Sequence, residues 1–234
     1  MKLCYIGPAG RTEALQKFLS SGVALESRTT EGGPKSIESM WEEYLSIPGT
    51  MELAVQLEKE GFDAIIPGCV GDPGIDGIRE LVTIPVIGPG ATSMQVAAGL
   101  GHSFSVLTIL DSVIRPTEHL AHTAGVASKL ASVRSIGIPV LELNDDLERT
   151  FDHLVTTARQ AIEQDRAEVL VIGCGTLSFR SEELQEAVGV PVVNPLRAAL
   201  RMAELLVSSG LSHSKISYPT PPKLAAAQME LVNS

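Results

Sequence analysis

The sequence predicts an α/β protein made of two pseudo-symmetric, Rossmann-like lobes. Each lobe is a mainly parallel sheet flanked by helices, and a ligand cleft lies between them. Three observations predict this. Short apolar runs alternate with longer stretches of helical spacing, the succession that builds a parallel sheet. Most of the runs are rich in Val, Ile and Leu and apolar on both faces, as strands covered by helices on each side are. One phrase also occurs twice and ends on a cysteine both times: "EGFDAIIPGC" closes at Cys69 and "DRAEVLVIGC" at Cys174.

Taken in order, "KLCYIG" is the first strand and "TEALQKFLSS" the first helix. "IESMWEEYLS" and "GTMELAVQLEKEG" have helical spacing on either side of a Pro-Gly pair, so two helices are expected there. "DAIIPG" and "PVIG" are strands around the first cysteine loop, and "SFSVLTI" opens the second half. "LERTFDHLVTTARQAIEQD" is a long helix, "VLVIG" and "PVVN" are strands around the second cysteine loop, and "RAALRMAELLVSSG" is a closing helix. The stretch "RELVTIPVIGP" lies over "QEAVGVPVVNP" almost letter by letter. The cysteines are 105 positions apart and Pro89 and Pro195 are 106 apart, so one inserted residue reconciles the halves. Each half is expected to run strand, helix, helix, strand, cysteine loop, short helix, strand, helix. The first lobe is expected over 1–95, with 205–234 as a segment that could complete it, and the second over 96–204.

Composition narrows the function. The 234 residues suffice for one large domain or two small lobes with a substantial core. A net charge of −10 and only 4% aromatic residues speak against nucleic acid and anionic membranes as partners and favour a small-molecule substrate. No apolar run approaches the roughly 20 residues that span a bilayer. The opening "MKLCYIGPAG" suits a buried strand better than an export signal. With three cysteines, an odd number, free thiols and a cytoplasmic setting are expected. A homo-oligomer is left open.

Cys69 and Cys174 each end a buried strand and open a loop before a helix, where ligands of open α/β sheets sit. The residues that follow, Val70-Gly71 and Gly175-Thr176, are mostly small, and their N–H groups can face an anion at the positive end of a helix. The same field is expected to lower the thiol pKa. Two lobes facing across a pseudo-twofold axis would set the sulfurs on opposite sides of one carbon. One thiolate can then remove a hydrogen beside a carbonyl while the other thiol returns one to the opposite face, which inverts the centre without metal or cofactor. Cys4, inside the first strand, fits an inert core residue. A disulfide or an inert role for the pair is the bland alternative. His119 and His122 share a helix spacing but lack a third metal ligand, and "GPAGRT" lacks the ending of a phosphate loop.

At these residues the chain resembles the Asp/Glu/hydantoin racemase superfamily, closest to its hydantoin and allantoin racemase branch. The resemblance rests on "GCVGDPGIDGIREL" from Gly68, "GPKSIESMWEEYLSIPG" from Gly33, "FSVLT" from Phe104, "VIGCGTLS" around Cys174 and "SKISYPTPPK" near the C-terminus. It implies two α/β lobes with the active site between them and a cofactor-independent isomerase with Cys69 and Cys174 as the two bases. It also implies substrate contacts from Val70, Gly71, Gly175 and Thr176, with Thr108 and Ser36 nearby. The branch opens with Asn-Pro-Asn-Thr after its first strand, where this chain has Gly7-Pro8-Ala9-Gly10. Other readings within the superfamily are a maleate isomerase or arylmalonate decarboxylase type. A small-molecule binding protein on the same fold is the non-enzymatic alternative.

Overall fold

The computed structural model describes residues 1–8 and 11–224. The first half contains β1 (Lys2–Ile6), α1 (Thr12–Gln16), β2 (Ala24–Arg28), α2 (Met40–Lys59), β3 (Ala64–Pro67), α3 (Ile75–Leu81) and α4 (Pro89–Leu100). The second contains β4 (Phe104–Thr108), α5 (Ile114–Thr123), β5 (Leu130–Ser135), α6 (Leu147–Glu163), β6 (Val169–Ile172), α7 (Ser181–Val188), β7 (Val192–Val193) and α8 (Pro195–Ser208). All pairings are parallel, in the orders β2-β1-β3 and β5-β4-β6-β7. The two orders correspond, because Val86 bridges to Ile65 of β3 where β7 pairs with β6.

Three local expectations are corrected. Each half contains an additional strand, β2 or β5, at the sheet edge. Their sequences, ALESR and LASVRS, are polar because edge strands meet solvent on one side. Glu26 pairs with Lys2 and Arg28, and Arg134 with Asp165. "PVIG" forms only an isolated bridge, Val86 to Ile65, rather than a full strand. Pro85 and Pro89, which cannot donate, bound it. The two helices expected across 37–61 are one helix, α2, with Pro48 inside it. Pro48 forgoes one helical N–H bond. Neighbouring turns are held by Ser46 Oγ donating to Glu43 O (2.7 Å) and Thr50 Oγ1 donating to Ser46 O (2.8 Å).

The cores bind the halves together. Leu196, Ala199, Leu200 and Ala203 of α8 pack against Leu3, Tyr5 and Ile66 of the first sheet. Met94 and Ala97 of α4 pack against Phe104, Val106 and Val171 of the second. The last helix of each half therefore covers the other half's sheet. Beyond α8, Lys215 Nζ donates to the carbonyls of Arg79 and Val82 (both 2.7 Å). The stretch around Lys215 thus docks on the first half, and residues 225–234 lie outside the described residues.

His213 fixes this docking. Its Nε2 sits 2.9 Å from both the N and the O of Val86. Burial, with Arg79 and Lys215 nearby, lowers its pKa from 6.5 to about 4. The folded protein therefore keeps this ring neutral while the unfolded chain takes a proton. Stability from the docking is present above pH 6.5 and is lost as pH falls through about 4. Unfolding by urea across this range should show that loss, and His213→Gln should show a shallower one.

Candidate active site

Both cysteine loops leave their sheets at the same register. Tyr5 pairs with Ile66 and Val106 with Val171. Gly68 N–H donates to Ile6 O (2.8 Å) and Gly173 N–H to Leu107 O (2.7 Å). One residue later each chain reaches its cysteine. The loops converge, since a Cβ on Gly175 would lie 3.1 Å from Gly68 O.

Between them is a cavity of about 430 Å³. Cys69, Cys174, Val70, Gly71, Gly175, Thr176, Thr108 and Ser36 all line it. The roof is the segment around Pro34 to Ile37, which is latched across the halves. Glu38 Oε1 accepts from Val140 N–H (2.7 Å), and Ser112 Oγ donates to Glu38 O (2.6 Å). Of the altered Gly7–Gly10 stretch, Gly7 and Pro8 line the cavity, while Ala9 and Gly10 lie outside the described residues.

The thiols depart from expectation. All three cysteines are free, and Cys4 is fully buried in the core with Ala54, Leu57 and Ile65. Burial pushes Cys69 up to about 12, against a lowering hydrogen bond from Gly71 N–H, and Glu43 raises it further. Burial also raises Cys174, against hydrogen bonds from the N–H groups of Leu177 and Thr176 and against the Arg11 charge. The loop N–H groups do act on the sulfurs, but desolvation is larger, so both thiols are held protonated.

Several flanking groups were not among the site residues expected from the sequence. Arg11 Nη2 donates to Thr176 Oγ1 (2.8 Å), linking the β1–α1 loop to the second cysteine loop. Its one legible sign is its place just after a strand's carboxyl end. Glu43 of α2 lines the cavity near Gly71 and Cys69, and burial raises its pKa. Asp72, the residue after Gly71, has φ 54° and accepts from Gly90 N–H (2.9 Å) and Ala91 N–H (2.7 Å) at the start of α4. Burial raises it to about 7 despite those donors. It ties the first cysteine loop to the helix that covers the second sheet. Among the described residues, no group of three or more His, Cys, Asp or Glu could hold a metal ion, and no helix is long and apolar enough to cross a membrane.

Two parallel α/β lobes with a thiol from each on one cavity make the fold that racemases and decarboxylases of the Asp/Glu racemase type share. Residues 11–203 match the family model for Asp/Glu/hydantoin racemase. The chain belongs to that family, and with it to the isomerases. It is 35% identical over 215 residues to a hydantoin racemase of Pseudomonas sp. strain NS671, covering 92% of this chain and 86% of the relative. It is 37% identical over 194 residues to one of Rhizobium meliloti, covering 83% and 80%. The solved structure of an allantoin racemase from Pseudomonas fluorescens superposes with a TM-score of 0.90 at 35% identity, covering 95% of this chain and 97% of that one.

Proposed function

We propose that the protein racemises a 5-substituted hydantoin or a related ring such as allantoin, using Cys69 and Cys174 as its two bases and no cofactor. The observation that carries this reading is the placement of both thiols, from matching loops of the two halves, on one cavity. The similarity to hydantoin and allantoin racemases supports the substrate class. One cysteine, as thiolate, takes the hydrogen from the ring carbon beside the carbonyl. Its S–H bond forms as the C–H bond breaks, and the electron pair moves onto the carbonyl oxygen. The opposite thiol then gives its hydrogen to the other face and is left as thiolate. For the reverse direction the roles exchange.

Enantiopure 5-substituted hydantoins, allantoin, aspartate and glutamate, followed by loss of optical rotation, test the substrate class. Inversion of the cyclic substrates and not of the free amino acids is expected. Inversion of glutamate or aspartate alone would contradict the proposal. Because burial holds both thiols protonated, kcat/KM should rise with pH from neutral to alkaline, by about tenfold per unit while the thiolate fraction is small. A rate that is flat over this range would contradict a thiolate base.

A further inference from the structure

Tyr5 is the one residue whose buried side-chain polar atom, its hydroxyl, has no hydrogen-bond partner among the described residues. The residue is 1% exposed and lines the cavity. Its ring tip lies between the two glycines that begin the β1–α1 loop and the first cysteine loop. A Cβ on Gly7 would be 2.6 Å from its Cζ, and one on Gly68 would be 2.6 Å from the same atom. Both glycines thus leave room for a phenol. The fold does not demand one, because the equivalent register position in the second half holds Val106, packed in an apolar cluster. The Arg11 guanidinium approaches this oxygen as a charge and as a hydrogen-bond donor, but it cannot accept, so the phenol's own hydrogen is left without an acceptor. Burial keeps it neutral, so it is a donor and not a base.

We infer that Tyr5 is a substrate-contacting residue whose hydroxyl, beside Arg11, donates to the carbonyl oxygen next to the inverted carbon. This rests on the racemase reading above. A carbon held between the two thiols has its carbonyl oxygen two bonds away, within reach of a donor that lines the same cavity beside Gly68. A buried donor without an acceptor is unfavourable, and a ligand oxygen removes that penalty. The interaction strengthens as the oxygen gains negative charge, so it favours the enolate over the ground state, and the neighbouring guanidinium acts in the same sense.

Tyr5→Phe deletes only the oxygen. It should lower kcat by about tenfold to a hundredfold with little change in KM. The melting temperature of the unliganded protein should stay the same or rise, because an unpartnered hydroxyl is lost. Deuterium exchange into the two enantiomers should fall by equal factors, since one donor serves the enolate whichever thiol acts. An active wild type with an equally active Tyr5→Phe would overturn the role of Tyr5 and leave the racemase reading standing. A fall in activity matched by a lower melting temperature would make Tyr5 a packing residue and also overturn it. A wild type inactive on all hydantoins and allantoin would overturn both readings.

Discussion

Replacing either Cys69 or Cys174 by alanine is expected to lower racemisation by roughly 10²- to 10⁴-fold, the span of one positioned acid or base. On the proposed two-base mechanism each variant lacks a base in one direction and an acid in the other, so both directions slow together. The carbonyls of Cys69 and Cys174 accept from Asp72 N–H (3.2 Å) and Ser178 N–H (3.1 Å), bonds that alanine keeps, so the alanine variants should fold. Each should still exchange the ring hydrogen of one enantiomer with solvent, because the remaining thiol can take and return a proton on its own face. The two variants should favour opposite enantiomers. Polarimetry and proton NMR in D₂O on the same samples check both statements. Racemisation at the wild-type rate in either variant would contradict a two-thiol site.

Gly90→Ala is expected to cost about 1–3 kcal/mol of stability or more, and activity with it. Gly90 lies in the first turn of α4 and is fully enclosed. A Cβ there would be driven into the carbonyl oxygen of Val70, the residue after Cys69, and into the Leu120 side chain. Backbone cannot step aside as a flexible side chain can, so α4 or the cysteine loop must shift. Gly90 N–H also serves Asp72, which anchors that same loop. Gly99, in the same helix, is the control, because a Cβ there meets nothing within 4 Å. Gly99→Ala should gain up to about 0.5–1 kcal/mol from the restricted unfolded chain. Urea midpoints of the two variants should therefore move in opposite directions.

What the sequence made legible was the duplicated part. Buried strands such as AIIP and VLVI are apolar on every side, and the cysteine that ends each repeated phrase lines the cavity between the sheets. The edge strands β2 and β5 escaped because half of each faces solvent and their charged residues pair laterally. The continuity of α2 escaped because Pro48-Gly49 reads locally as a break, while side-chain hydroxyls and tertiary packing hold the helix across it. The thiol pKa was expected in the wrong direction. A helix start after a small-residue loop is visible in sequence and lowers it, but the desolvation that raises it depends on the two halves meeting around the sulfurs. Arg11, Glu43 and Tyr5 escaped for a related reason. Each is a lone residue of a common type, and only the meeting of β1, α2 and the two cysteine loops places it on the cavity.

The central claim is that two thiols act on opposite faces of one carbon. The most direct measurement is a single-enantiomer incubation of wild-type protein in D₂O, stopped at low conversion, with deuterium counted separately in substrate and product. Two bases predict product that carries solvent deuterium and recovered substrate that is still largely protonated, because the thiol that donates is not the one that abstracted. The same pattern should hold from either enantiomer. Product that keeps the original hydrogen, or substrate that exchanges as fast as product forms, would contradict the account and indicate one group working on both faces.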